Sequence, residues 1–155
     1  MNEKILIVDD DATMVNLLAA ILEMEGFEAR KTLSGAEAME ALEGGGIDLV
    51  LLDIMMPGMD GFQVLKRIRD TPAMEKLPVI VLTALLEKEH ALRSWRLKAD
   101  EYVTKPYDPQ ELIDVIGDVL ARSVEERTEE RVRRIESLLE LLEKVEGGDR
   151  EGGER

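Results

Sequence analysis

The 155-residue sequence has no cysteine, which excludes a disulfide framework and any thiolate metal site and suits a reducing compartment. It also lacks any run of about 20 apolar residues, so a membrane-spanning helix is not expected. Met1-Asn2-Glu3-Lys4 passes straight into an apolar strand, without the basic segment, apolar stretch and small-residue cleavage site of a signal peptide, and the expectation is a cytoplasmic protein. Positive charge is short: 20 basic against 34 acidic residues leave −14, a field that repels phosphate backbones and anionic lipid, so neither direct nucleic-acid binding nor membrane binding is expected. Aromatics make up only 3% of the chain, and asparagine and glutamine are scarce, while Glu, Arg and Lys are abundant, a balance that suits a heat-adapted source. The one histidine, His90, falls on a weakly patterned helix and is read as an exposed side chain rather than a phosphorelay donor.

What is present is an alternation of two hydrophobic periods. Lys4 to Val8, Phe27 to Thr32, Ile47 to Leu52, Val79 to Leu82 and Glu101 to Thr104 read as strands. Between and after them lie helical stretches. The first carries Met14, Leu17, Leu18, Ile21 and Leu22 behind a cap at Asp11, the second follows Ser34, the third runs from about Phe62 to Asp70, the fourth from about Glu87 to Leu97, and Asp108 caps the fifth. Gly26 and the Gly44-Gly45-Gly46 run close the first two helices. Five strands alternating with five helices predict an α/β fold with a doubly wound parallel sheet, whose ligands bind beyond the carboxyl ends of the strands.

Beyond Ala121 the composition shifts to Glu and Arg. Val124, Thr128 and Val132 step by four, and Ile135, Leu139 and Leu142 continue at spacings of three and four, the stripe of a helix that packs against something. The domain reading is therefore residues 1–121 as the α/β unit, 122–146 as an extended helix, and 147–155, opened by Gly147-Gly148, as a disordered tail. A parallel coiled coil is favoured for the helix, and a helix folded onto its own domain is the plainer alternative. Glu129 with Arg133, Glu130 with Arg134 and Glu140 with Lys144 supply i,i+4 pairs.

The expected fold gathers Asp9 and Asp10 after the first strand, Asp53 after the third, Thr83 after the fourth and Lys105 after the fifth. Three crowded carboxylates repel one another or recruit a cation, and hard oxygen donors without His or Cys select Mg²⁺. A carboxylate can attack phosphorus to form an aspartyl-phosphate, with Lys105 and Thr83 placed to meet the phosphoryl oxygens. Asp11 is better read as a helix cap than as a metal ligand, and Asp60 as part of a turn or the start of the third helix.

At Ile5-Leu6-Ile7-Val8-Asp9-Asp10, Leu51-Leu52-Asp53-Ile54-Met55-Met56-Pro57-Gly58-Met59-Asp60-Gly61, Leu82-Thr83-Ala84 and Tyr102-Val103-Thr104-Lys105-Pro106 the sequence resembles the response-regulator receiver domains of two-component signalling, the family of the chemotaxis response regulator. The resemblance covers about residues 1–120. It implies a flavodoxin-like five-stranded sheet of order 2-1-3-4-5, an order for which a member of this family is itself the standard example. It implies Asp53 as the phosphoacceptor, Mg²⁺ held by Asp10, Asp53 and the Met55 backbone carbonyl with Asp9 joining through water, and Lys105 and Thr83 stabilising the phosphoryl group. Thr83 and Tyr102 would form a switch pair, and the Lys105-Pro106 bond would be cis. The implied function is phosphoryl transfer from a histidine kinase or a small acyl phosphate, switching the face of the fourth helix, fifth strand and fifth helix, with a homodimer through that face or the C-terminal helix.

On this reading the chain is a switch and not a turnover enzyme. Whether it stands alone or is the front part of a longer protein with an output domain stays open. Lys98 replaces a usual glycine, which argues against a left-handed backbone there. Met55 and Leu85 offer a hydrolytic water no strong hydrogen bond, so slow self-dephosphorylation is expected. A haloacid-dehalogenase-type phosphatase would want an acid where Met55 stands, and a module used only for dimerisation would want Asp53 or Lys105 lost.

Overall fold

Caps and periodicity turn into elements close to the expected positions in the computed structural model, which describes residues 2–84 and 87–153. In chain order they are β1 (Lys4–Val8), α1 (Ala12–Met24), β2 (Glu28–Thr32), α2 (Gly35–Glu43), β3 (Leu49–Leu52), α3 (Gly61–Asp70), β4 (Val79–Thr83), α4 (Lys88–Arg96), β5 (Glu101–Thr104), α5 (Pro109–Ala121) and α6 (Val124–Gly153). Asp11 accepts from the Thr13 and Met14 N–H groups, Ser34 from Glu37 and Asp108 from Gln110 and Glu111, so the expected N-caps are in place. Asp60 and Gln63 form a reciprocal capping box at the start of α3.

The strands pair in parallel in the order β2-β1-β3-β4-β5. Residues of alternate parity point to opposite faces. Leu6, Val50 and Val81 join Leu65 and Ile68 under α2 and α3, while Ile5, Ile7, Leu49 and Leu51 join Leu18, Leu22 and Ile116 under α1 and α5. Helices on both faces account for the unbroken apolar runs of β1, β3 and β4. Helix α1 is rotated from its expected stripe: Val15, Leu18, Ala19 and Leu22 are buried, whereas Leu17 is 55% exposed. Small Ala19 and β-branched Val15 fit close to the sheet, and the neighbouring leucine is left outside.

Lys98 does adopt the left-handed conformation, at φ 69°, contrary to the expectation drawn from its side chain. The conformation costs a non-glycine residue about 1–2 kcal/mol. Offsetting it, the Lys98 carbonyl accepts Arg69 Nε at 2.9 Å, Arg69 Nη2 at 2.7 Å and Arg131 Nη1 at 3.1 Å.

The largest departure is at the C-terminus. Helix α5 does not run on into a longer helix but stops at Arg122, whose backbone is extended at φ −80°, ψ 143°. Ser123 starts a new helix. Its hydroxyl accepts the Glu126 N–H at 3.1 Å, and the Glu126 carboxylate accepts the Ser123 N–H at 3.1 Å, a capping box. Helix α6 then packs along α4. Arg127 and Arg131 reach Asp100 at 3.0 and 3.2 Å, Arg134 lies 3.8 Å from Glu101, and its guanidinium stands 5.6 Å from the centroid of Trp95. The first part of the helix thus follows the plainer of the two sequence readings, folded onto its own domain. The backbone stays helical past Gly147-Gly148, where a stop was expected. A glycine in a helix costs about 1 kcal/mol but ends it only by turning left-handed. Among the described residues no helix is long and apolar enough to cross a membrane.

Candidate functional site

Strand order and register decide which side chains meet. Val8 pairs with Leu52, so Asp9 and Asp53 leave adjacent strands at one level, and Thr83 pairs with Thr104, which places Lys105 directly beyond. The Asp53 N–H donates to the Val8 carbonyl at 2.8 Å and the Lys105 N–H to that of Thr83 at 2.9 Å, extending the sheet's spacing into the loops.

Lys105 Nζ bridges two carboxylates, donating to Asp9 at 2.8 Å and to Asp53 at 3.2 Å. Asp10 is exposed beside them, and oxygens of Asp9, Asp10 and Asp53 lie within 4.8 Å of one another. Burial lifts Asp53 above the usual carboxylate range; Lys105 and the Met55 N–H, which donates to it at 3.1 Å, pull the other way, and Asp9 adds to the rise. For Lys105, burial works against the ammonium, but the hydrogen bond to Asp9 and the charges of Asp53 and Asp9 outweigh it and hold its pKa above the ordinary lysine range. Two of the three carboxylates are buried with one cation between them, so the pocket is deficient in positive charge and its all-oxygen donor set fits a hard divalent ion.

Thr83 is fully buried at the end of β4, and Tyr102 on β5 is half-buried against the core under α3. Burial and the nearby Glu87 push the Tyr102 phenol up. Lys105-Pro106 is cis, as expected. Leu85 lies outside the described residues, and Met55 is largely exposed. Asp11 spends its carboxylate on its helix cap. His90 stands apart from the acidic pocket, its ring stacked on Phe62 with centroids 6.3 Å apart. Trp95 is buried, and the guanidinium of Arg134 from α6 stands over its ring.

Gly61 is a site residue that sequence reasoning passed over. A Cβ there would collide with the Asp53 carbonyl oxygen and, at 2.6 Å, with Ile54 Cα, so only glycine lets α3 start flush against the loop that carries Asp53. The Gly61→Ala variant is expected to lose about 1–3 kcal/mol in urea unfolding, the usual cost of overpacking a site whose neighbours are backbone. The signal was the run of Asp60 before Gly61, a cap followed by a residue of no size.

A family model for the response regulator receiver domain matches residues 5–117. The chain is 39% identical over 122 residues to the regulatory protein VanRc of Enterococcus gallinarum, covering 79% of this chain and 52% of that protein. It is 41% identical over 125 residues to the sensory transduction protein RegX3 of Mycobacterium bovis, covering 81% and 54%. It thus spans about half the length of the curated relatives it matches. A crystal structure of a CheY-like response regulator receiver domain protein from Methanospirillum hungatei superposes with a TM-score of 0.73 at 29% identity, covering 84% of this chain and 99% of that one.

Proposed function

The chain belongs to the response regulator receiver family of two-component signalling, and from that premise we propose that Asp53 is its phosphoacceptor. The observation that carries the assignment is Lys105 bridging Asp9 and Asp53 with Asp10 in the same pocket. An Asp53 carboxylate oxygen attacks the phosphorus of a histidine kinase's phosphohistidine or of a small acyl phosphate. The bond from phosphorus to the donor's nitrogen or carboxyl oxygen breaks, leaving an acyl phosphate on Asp53. Asp10, Asp53 and the Met55 carbonyl, with Asp9 through water, would hold Mg²⁺, and the ion would neutralise charge on the incoming phosphoryl oxygens. Lys105 turns from its carboxylates to those oxygens, and the Thr83 hydroxyl follows.

As Thr83 moves toward the phosphoryl group it vacates space that the Tyr102 ring fills, which alters the face of α4, β5 and α5. That face, or α6, then carries homodimerisation or contact with an output protein. Met55 offers a water no strong hydrogen bond, so the modification is lost slowly. Several relatives are named as transcriptional regulatory proteins, which supports a place in the cytoplasm and an output tied to gene control.

Incubation with acetyl phosphate and Mg²⁺, followed by intact mass, is expected to add one phosphoryl group, and chelation of the metal is expected to prevent it. No metal-dependent gain would overturn the assignment. Lys105→Ala is expected to slow the gain about a hundredfold, the typical effect of removing one preorganised charge from a developing anion; an unchanged rate would remove Lys105 from the chemistry.

A further inference from the structure

One heptad seam runs through the apolar residues of α6, and the seat of the helix on the domain covers only part of it. Counting the heptad from the 3,4 spacing puts Val132 and Leu139 at a positions and Thr128, Ile135 and Leu142 at d positions. In the structure Ile135 and Leu142 are half-buried, while Val132 and Leu139 face solvent at 50% and 37% exposure. Thr128, the remaining d residue, is exposed. A coiled coil would need Ile135 and Leu142 at its interface, where the docked helix keeps them half-buried, so the two uses of α6 compete for the same side chains.

The seat is held by charge. Asp100, 1% exposed, receives Arg127, Arg131 and Arg69, and Arg127 also donates to the Lys76 carbonyl at 2.7 Å. The hinge is short: Arg122 and Ser123 alone separate α5 from α6, and neither is glycine or proline. Turning Arg122 from extended to helical backbone would join the two into one continuous helix from Pro109 onward. In a parallel pair of such helices Arg131 falls at g, and the e position it faces is Glu136 of a second copy, an opposite charge. Arg131 therefore has one carboxylate partner in each arrangement.

We infer that α6 is a hinged latch between two seats, docked on Asp100 in the single chain and straightened at Arg122-Ser123 to pair with α6 of a second copy. What drives the exchange in the cell rests on the phosphoryl-switch reading, because α4, the helix under the latch, belongs to the face that switch alters. The two seats themselves rest only on the seam, the hinge and the charges.

The test uses the full chain without any phosphoryl donor and reads mass by light scattering, with Trp95 emission as a second signal from the docked seat. Arg127→Ala, at a heptad position outside the seam, removes one clasp of the docked seat, and Asp100 keeps Arg69 and the Val79 N–H. It is expected to tighten dimerisation by about tenfold over the parent chain and to change Trp95 emission. Ser123→Ala removes the cap that starts the docked helix, and is expected to act in the same direction without touching Asp100. Val124→Pro should do the reverse. Proline is accepted at the first helical position but bars helical backbone at Ser123, so the chain should stay monomeric even with a beryllofluoride mimic. Adding Leu139→Lys to Arg127→Ala should return the monomer.

Arg127→Ala and Ser123→Ala both remaining as monomeric as the parent would overturn the latch, as would a Val124→Pro chain that dimerises freely. If acetyl phosphate leaves Asp53 unmodified while the latch variants still dimerise, the phosphoryl reading fails and the latch stands. If Asp53 is modified while the latch variants stay monomeric, the latch fails and the phosphoryl reading stands.

Discussion

Asp53→Asn is expected to abolish the acetyl-phosphate-dependent gain of mass and, in metal-free buffer, to leave the protein more stable than the parent at neutral pH. The first half follows from chemistry: an amide is no nucleophile toward phosphorus, and neither Asp9, bonded to Lys105, nor exposed Asp10 stands in the same place. The second half follows from linkage. Burial raises Asp53 above the ordinary carboxylate value of 3.8, with Asp9 adding to the rise, so the folded state binds that proton more tightly than the unfolded chain does. The parent then loses stability as pH climbs from 3.8 through the raised folded value, and asparagine has no such loss. The advantage of Asp53→Asn should be absent below pH 3.8, grow through that window, and stay constant above it. Urea unfolding from about pH 3 to about pH 8 with chelator present reads the curve. A variant less stable than the parent at neutral pH would mean that the ion pair with Lys105 outweighs burial.

Asp100→Ala is expected to cost about 3–5 kcal/mol of unfolding free energy, the range for removing one partner of a buried ion pair. Arg69 and Arg127 are buried with Asp100, and burial, with the charges of Arg131 and Arg127 adding to it, drags the Arg69 guanidinium down to about 10 against the pull of Asp100. Without the carboxylate, three guanidiniums face one another across a site whose remaining acceptors are neutral, backbone carbonyls and the Thr128 hydroxyl, and the Val79 N–H loses its 2.8 Å acceptor. The loss should appear in urea unfolding at neutral pH, and a cost under about 1 kcal/mol would show that the arginines find water instead.

The alternation of periods, the caps and the strand-end polar residues are properties of neighbours in the chain, and they were legible. So was the meeting of Asp9, Asp53 and Lys105, because parallel register follows once strand order is known. Contacts between distant segments carry no local signature, which is why the sequence does not announce that Arg69 meets Asp100 or that Gly61 lies flush against the loop of Asp53. The end of α5 is a different case. Ser123-Val124-Glu125-Glu126 is a capping box in plain sight, and Arg127, Arg131 and Arg134 recur at helical spacing as one cationic face. The apolar stripe is a local pattern, whereas the burial of Arg127 and the half-burial of Arg131 depend on a carboxylate far back in the chain, at the head of β5.

Asp100 stands at the head of β5 and Lys105 at its foot, with the four residues of one short strand between them. The edge of the sheet that carries the acidic pocket is therefore not the edge that clasps α6. Such a division lets the two be revised separately: a C-terminal segment of different length or partner could be grafted at Ser123 while the acidic pocket keeps its chemistry intact.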